Sequence, residues 1–210
     1  MRWRKYFLAV LLFLALVTAD CLVYDYLTEQ RGGISKEDLD IIRQDMVYFP
    51  VPESSFDPSG YQVSFVDSYG SARNFGGDRV HEGCDLMPSV DKRGHYPVVS
   101  ISDGVVEKIG WLKLGGYRIG VRSPHGVYFY YAHLNDYVRD FAVGDTIKAG
   151  EVLGFMGDSG YGEEEGTTGM FPVHLHLGIY LNNQDGREES QNPYPFLLDL
   201  EKEKLKFYFE

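Results

Sequence analysis

Four of the six histidines in this chain, together with one aspartate, are of the types and spacing that hold a metal ion and run hydrolysis. His81 and Asp85 stand four apart in VHEGCDL, His133 closes YYAHL, and His174 and His176 alternate in PVHLHLGIY. A catalytic zinc site takes three nitrogen or oxygen ligands from the protein and keeps a fourth position for water. Two histidines and a carboxylate fill that count and leave two imidazoles over, the kind of group that moves protons beside a reacting water. There is no HExxH helix, so glutamate is not the expected base.

The spacings say which elements must carry these groups. His174 and His176 are two apart, so on a strand they share one face while Val173, Leu175, Leu177 and Ile179 take the other, which reads as core. His81 and Asp85 flank Gly83 in a glycine-rich stretch, where a helix is costly and a strand-and-turn path lets both side chains converge. On that path Glu82 and Cys84 face away; Cys84 reads as a small buried apolar residue. His133 ends an aromatic strand. His95 and His125 lie in turn-like stretches and read as surface residues.

Composition supports an all-β scaffold. Twenty-four glycines, sixteen tyrosines and thirteen phenylalanines accompany short β-like runs from Tyr61 onward, YQVSFVD, PVVSISDGVVEKIGW, YRIGVRS, GVYFYYAHL, EVLGFMGD and VHLHLGIYL, parted by glycine-containing turns. NPYPFLLDL reads as a turn into a short helix, followed by a C-terminal tail, 199–210, with an edge strand. Ahead of the domain, SKEDLDIIRQDM carries a helical signal capped by Ser35. Residues 25–60, broken by Pro50, Pro52 and Pro58, read as linker or stalk, and 61–198 as the catalytic domain. At 210 residues the chain has room for one good core.

Arg2, Arg4 and Lys5 precede thirteen uncharged residues, Phe7 to Ala19, a run that fits an export signal. Residues 1–24 are therefore a signal peptide cleaved before Asp20 or an uncleaved membrane anchor, and both place the remainder outside the cytoplasm. Removing residues 1–19 takes away three basic groups and no acidic one, which moves the net charge from −11 to −14. Such a chain does not bind nucleic acid through charge. Cys21 and Cys84 are the only cysteines, and a disulfide between them is not expected.

In order and spacing, DSYGSARNFGGDRVHEGCDL, PVVSISDGVVEKIGW, GGYRIGVRSPHGVYFYYAHL, VGDTIKAGEVLGFMGDSG, HLHLGIY and NPYPFLL resemble the lysostaphin-like, LytM-type zinc metallopeptidases. The resemblance spans residues 61 to 198. It implies a small antiparallel β-sheet or sandwich-like domain of the duplicated-hybrid-motif kind with a groove between loops, one Zn²⁺ per domain held by His81, Asp85 and His176, and catalytic roles for His133 and His174. It implies an endopeptidase acting on peptide bridges or stems of peptidoglycan; with the export segment this places the protein at the cell envelope, and it is expected to be monomeric. Which histidine is the general base stays open.

Two alternatives compete. A facial triad of an iron oxygenase uses the same ligand types but leaves His174 without work. A catalytically silent wall-binding or regulatory module that activates a partner hydrolase would result if YGEEEGTTGMFP, longer and more acidic than the family's usual approach to HLH, blocked the groove. Glu163, Glu164 and Glu165 in it read either as a solvated loop or as a groove rim that attracts an amine.

Overall fold

In a computed structural model, residues 35–74, 77–183 and 185–210 are described. The expected leader or anchor, residues 1–24, and Cys21 lie outside them. No helix of the described residues is long and apolar enough to cross a membrane.

Helix α1 spans Lys36–Asp45. Its start obeys the sequence signal: the Asp38 N–H donates to Ser35 Oγ (3.0 Å), and the Ser35 N–H and O–H donate to the Asp38 carboxylate (3.2 and 2.8 Å). The strands that follow are β1 (Glu53–Ser54), β2 (Val63–Phe65), β3 (Ala72–Arg73), β4 (Arg79–Val80), β5 (Cys84–Pro88), β6 (Pro97–Val99) and β7 (Gly104–Leu112). After them come β8 (Gly116–Arg122), β9 (Tyr128–Tyr137), β10 (Thr146–Ile147), β11 (Val152–Met156), β12 (Leu175–Asn182) and β13 (Glu188–Gln191). Helix α2 (Tyr194–Leu200) and β14 (Lys206–Phe207) close the chain.

The main sheet runs β10-β7-β8-β9-β12-β5-β2, with β13 beside β12, β11 beside β9 and β6 beside β11; every pairing in it is antiparallel. The alternation expected of HLHLGIY holds, because Leu175, Leu177 and Ile179 are fully buried on one face of β12. They pack in a core with Leu86, Ile119, Phe129, Tyr131 and Leu134, each such side chain contributing about 1.5–3 kcal/mol of burial.

Part of the stretch expected as linker, residues 42–51, contributes buried side chains to the domain. Ile42, Phe49 and Val51 are buried, and Phe49 and Glu53 donate backbone N–H bonds to the carbonyls of Glu203 and Leu205. Ile41–Glu210 forms one compact unit. The polar, proline-broken texture of this stretch hid apolar anchors that are isolated from one another in sequence. His95, expected on the surface, is also buried, against Tyr61, Tyr96 and Phe209, whereas His125 is half exposed and bonds Asp45.

Candidate active site

Strand register assembles the centre. His176 on β12 stands opposite Asp85 on β5 and Ala132 on β9, so all three present one face of the sheet. His81 reaches the same point from the turn between β4 and β5. The path is the strand and turn expected, and Gly83 makes it passable: a Cβ there would lie 2.5 Å from Leu177 O and 2.6 Å from His176 Cε1. His81 Nε2, Asp85 Oδ1 and His176 Nδ1 form a triangle with every edge 3.0 Å.

Those three atoms fit a cation. His81 Nδ1 lies 3.1 Å from the Ser68 carbonyl, which only accepts, so Nδ1 carries the hydrogen and Nε2 presents a lone pair. That lone pair faces a carboxylate oxygen and a second imidazole nitrogen, an arrangement that calls for positive charge between them. Ligands about 2.0–2.2 Å from a tetrahedral zinc lie about 3.3 Å apart, close to the edges seen here. Asp85 turns its other oxygen to Arg73 Nη2 at 2.7 Å.

His133 and His174 flank the triangle, their rings 4.7 Å apart. His133 does not end its strand. It sits inside β9 in the left-handed region (φ 61°), where β9 leaves β12 and takes up β11. Its neighbours Tyr131 and Leu134 are core residues, and strict alternation would send His133 to the core with Tyr131. The local break in the ladder instead turns its ring to the groove, a re-aiming of the kind bulges provide. Its backbone N–H donates to Gly115 O (2.8 Å) and its Nδ1–H to Ser159 O (2.8 Å), so Nε2 is the basic atom.

His174 lies just before β12, bridged to Gly157 rather than inside the strand. Its Nδ1–H donates to Pro172 O (2.8 Å), and Nε2 is 3.8 Å from Asp85 Oδ1. Burial lowers the pKa of His133 and of His174. Both are therefore neutral imidazoles with an unprotonated Nε2 beside the centre.

The groove has a volume of about 730 Å³. Tyr128, Tyr130 and Tyr180 line it along the sheet, and Tyr161, Phe171 and Pro172 line it from the stretch before β12. Phe171 packs on His133 (4.6 Å) and His174 (5.1 Å), while Tyr161, itself left-handed (φ 56°), meets Phe171 edge-on (4.7 Å). Glu163, Glu164 and Glu165 are exposed and absent from the groove lining; Glu163 pairs with Lys113. The acidic run is thus a solvated loop, and the aromatic residues at its two ends are the ones that wall the groove. Cys84 is buried with its S–H directed at Val66 O (3.5 Å), on the face opposite Asp85, and is in no disulfide among the described residues.

Sequence reasoning passed over Arg73, Tyr130, Tyr161 and Phe171. For Tyr130 a signal existed, since it is two residues from Ala132 on the face that His176 meets. Arg73 gave none, because only the β3–β4 pairing, Arg73 opposite Arg79, brings it back over Asp85.

Fold and site together define a β-sheet groove with a histidine–carboxylate centre and two flanking imidazoles. Residues 79–189 match the model of peptidase family M23, and the chain belongs to that family. It is 40% identical over 176 residues to the L-Ala–D-Glu endopeptidase of Bacillus subtilis (strain 168), covering 82% of this chain and 51% of that protein. It is 30% identical to glycyl-glycine endopeptidase ALE-1 of Staphylococcus capitis, over 66% of this chain and 36% of that one. A crystal structure of a candidate glycyl-glycine endopeptidase, lytM, from Ruminococcus gnavus ATCC 29149 superposes with a TM-score of 0.72 at 53% identity, covering 80% of this chain and 65% of that one. The chain spans about half the length, or less, of the curated relatives named here.

Proposed function

We propose that the chain is a zinc-dependent endopeptidase that cleaves peptide bridges or stems of peptidoglycan, with His81, Asp85 and His176 as the metal ligands and His133 and His174 as the catalytic pair. The observation that carries this is the 3.0 Å triangle of three donor atoms with two imidazoles beside it. We take residues 61–198 to hold the catalytic face, with 42–51 supplying part of its core. We take the place of action to be outside the cytoplasm, and the protein to act as a monomer.

Zinc held by His81, Asp85 and His176 would supply a Lewis acid for the scissile carbonyl and would lower the pKa of its water toward about 7. The remaining work belongs to the side chains. His133 and His174 each spend the Nδ1 hydrogen on a fixed carbonyl, which orients the ring and leaves Nε2 to take a proton from the attacking water and pass it to the leaving amine. With the proton on board, either ring becomes a donor for the developing oxyanion. Arg73 holds one oxygen of Asp85 so that the other faces the centre. Tyr161 and Phe171 exclude water from the side of His133.

The endopeptidase names of the Bacillus and Staphylococcus relatives support this reading over the silent module, as does an aromatic-walled groove that the acidic loop leaves open. The test uses the full chain: bound zinc is measured by atomic emission, and new amino termini are followed during incubation with peptidoglycan, with and without a chelator. About one zinc per chain and chelator-sensitive release are expected. Absence of zinc, or no release by zinc-loaded protein from walls of several peptide chemistries, would overturn the proposal.

A further inference from the structure

Of the cations that line the groove, three are engaged within the protein. Arg73 bonds Asp85, Arg79 donates to the Tyr161 hydroxyl (2.9 Å), and Lys108 lies 3.4 Å from Glu188 and 3.7 Å from Glu107. Arg118 differs. It lines the same groove, yet among the described residues its guanidinium makes no ion pair and donates no hydrogen bond, and its Nη1 is enclosed without an acceptor. A guanidinium enclosed in part without a counter-ion is costly unless something else supplies the negative charge.

Its position is that of a specificity group. Gly110 and Arg118 are opposite each other on β7 and β8, and Gly120, two residues on, faces Tyr130. Arg118 therefore shares the groove face with Tyr130, whose ring stacks edge-on against His176 at 5.9 Å. Arg118, Tyr128 and Tyr130 line the groove together. The charge thus lies on the groove face that also carries Tyr130 and His176. The groove acids do not neutralise it: Glu188 pairs with Arg122 and Lys108, Asp85 with Arg73, and Glu82 is exposed and makes no ion pair with it.

Resting on the peptidase reading, we infer that Arg118 is a specificity-determining residue that binds a free carboxylate on the substrate residue next to the scissile bond, so that the groove favours acidic stem peptides over glycyl bridges. The chemistry fits a glutamyl residue. Whichever of its two carboxyls carries the chain onward, the other stays ionised at neutral pH and matches the planar guanidinium. A glycyl bridge offers no such group.

The test pairs an L-Ala–D-Glu peptide bearing free carboxylates with the same peptide converted to carboxamides. Binding is measured on the zinc-loaded full chain made non-cleaving by His133→Asn, with and without Arg118→Gln or Arg118→Lys; kcat and KM are measured in the cleaving background. Arg118→Gln should weaken binding of the carboxylate peptide about 10- to 100-fold through KM, leave the carboxamide peptide within about twofold, and be partly rescued by Arg118→Lys. Equal loss on both peptides, a fall in kcat alone, or no change would overturn the role of Arg118. If the wild-type chain cleaves neither peptide, the stem-peptide preference falls while the peptidase reading is decided by release from whole peptidoglycan, and the binding ratio still decides whether Arg118 reads the carboxylate.

Discussion

Arg73 grips the outer oxygen of Asp85 at 2.7 Å while the inner oxygen faces His81 and His176. As the proposed metal ligand, a carboxylate turned by such a partner is fixed in orientation, and removal of partners of this kind costs about 10–100-fold in metal affinity. Arg73→Ala should therefore weaken zinc binding by that factor in competition with a chromophoric chelator. Arg73 is about one-third exposed, so the thermal midpoint of the metal-free protein should hardly move. Unchanged affinity would mean that Asp85 is held by the sheet alone.

Gly83 makes the opposite kind of contribution, by absence. A methyl group there meets a backbone carbonyl on one side and the His176 ring on the other. Neither can retreat freely, since His176 is fixed by register to Asp85 and Ala132. Gly83→Ala should cost about 1–3 kcal/mol in denaturant unfolding and abolish stoichiometric zinc binding. A variant that binds zinc normally would show that the turn can shift without moving His176.

Much of this site is legible in the sequence because period-two alternation and chain order determine it. HLH placed on a strand gives His176 and its buried neighbours Leu175 and Leu177, and glycine between His81 and Asp85 gives the convergent turn. What escapes is whatever depends on a break in that alternation or on pairing between distant strands. His133 reaches the groove through a left-handed residue inside β9, which a pattern of period two misdirects to the core. Arg118 and Tyr130 share a face only because β8 pairs β9 in one register. Phe49 and Val51 lie in core although their surroundings are polar and proline-rich, since burial there is decided by contacts near Glu203 and Leu205.

Tyr131 tests the core rather than the groove. Its hydroxyl is fully buried and accepts the Ile101 N–H at 2.8 Å. Tyr131→Phe leaves that donor without a partner, which should cost about 1–3 kcal/mol in the urea midpoint while cleavage at 25 °C and zinc content stay as in the parent. A silent substitution would require another acceptor to reach Ile101.

His95 links stability to pH. Burial, with Lys92 nearby, lowers its pKa below the ordinary histidine value, and its Nε2 has no hydrogen-bond partner. The unfolded chain therefore takes up this proton first as pH falls below about 6.5. Stability rises with pH wherever the unfolded state binds more protons, so this residue's contribution is lost on acidification from that point down to its folded pKa. His95→Phe, surrounded by Tyr61, Tyr96 and Phe209, should narrow the difference between urea midpoints at pH 8 and pH 5. An identical difference in both proteins would mean that His95 is hydrated when folded.

The proposed division of labour between ligands and proton carriers is separable by metal retention. His133 makes its two anchoring hydrogen bonds to Gly115 and Ser159 and none to the triangle, so its loss should leave zinc in place. Asparagine is the apt replacement, because it tolerates the left-handed backbone at φ 61° better than alanine does. His133→Asn should keep about one zinc per chain and lose about 10²- to 10⁴-fold in kcat, the range for removal of a general acid or base. His176→Asn should lose zinc and activity together, since Nδ1 is one of the three converging donors. If His133→Asn also released the metal, the ring would be a ligand, and the proton chemistry would rest on His174 alone.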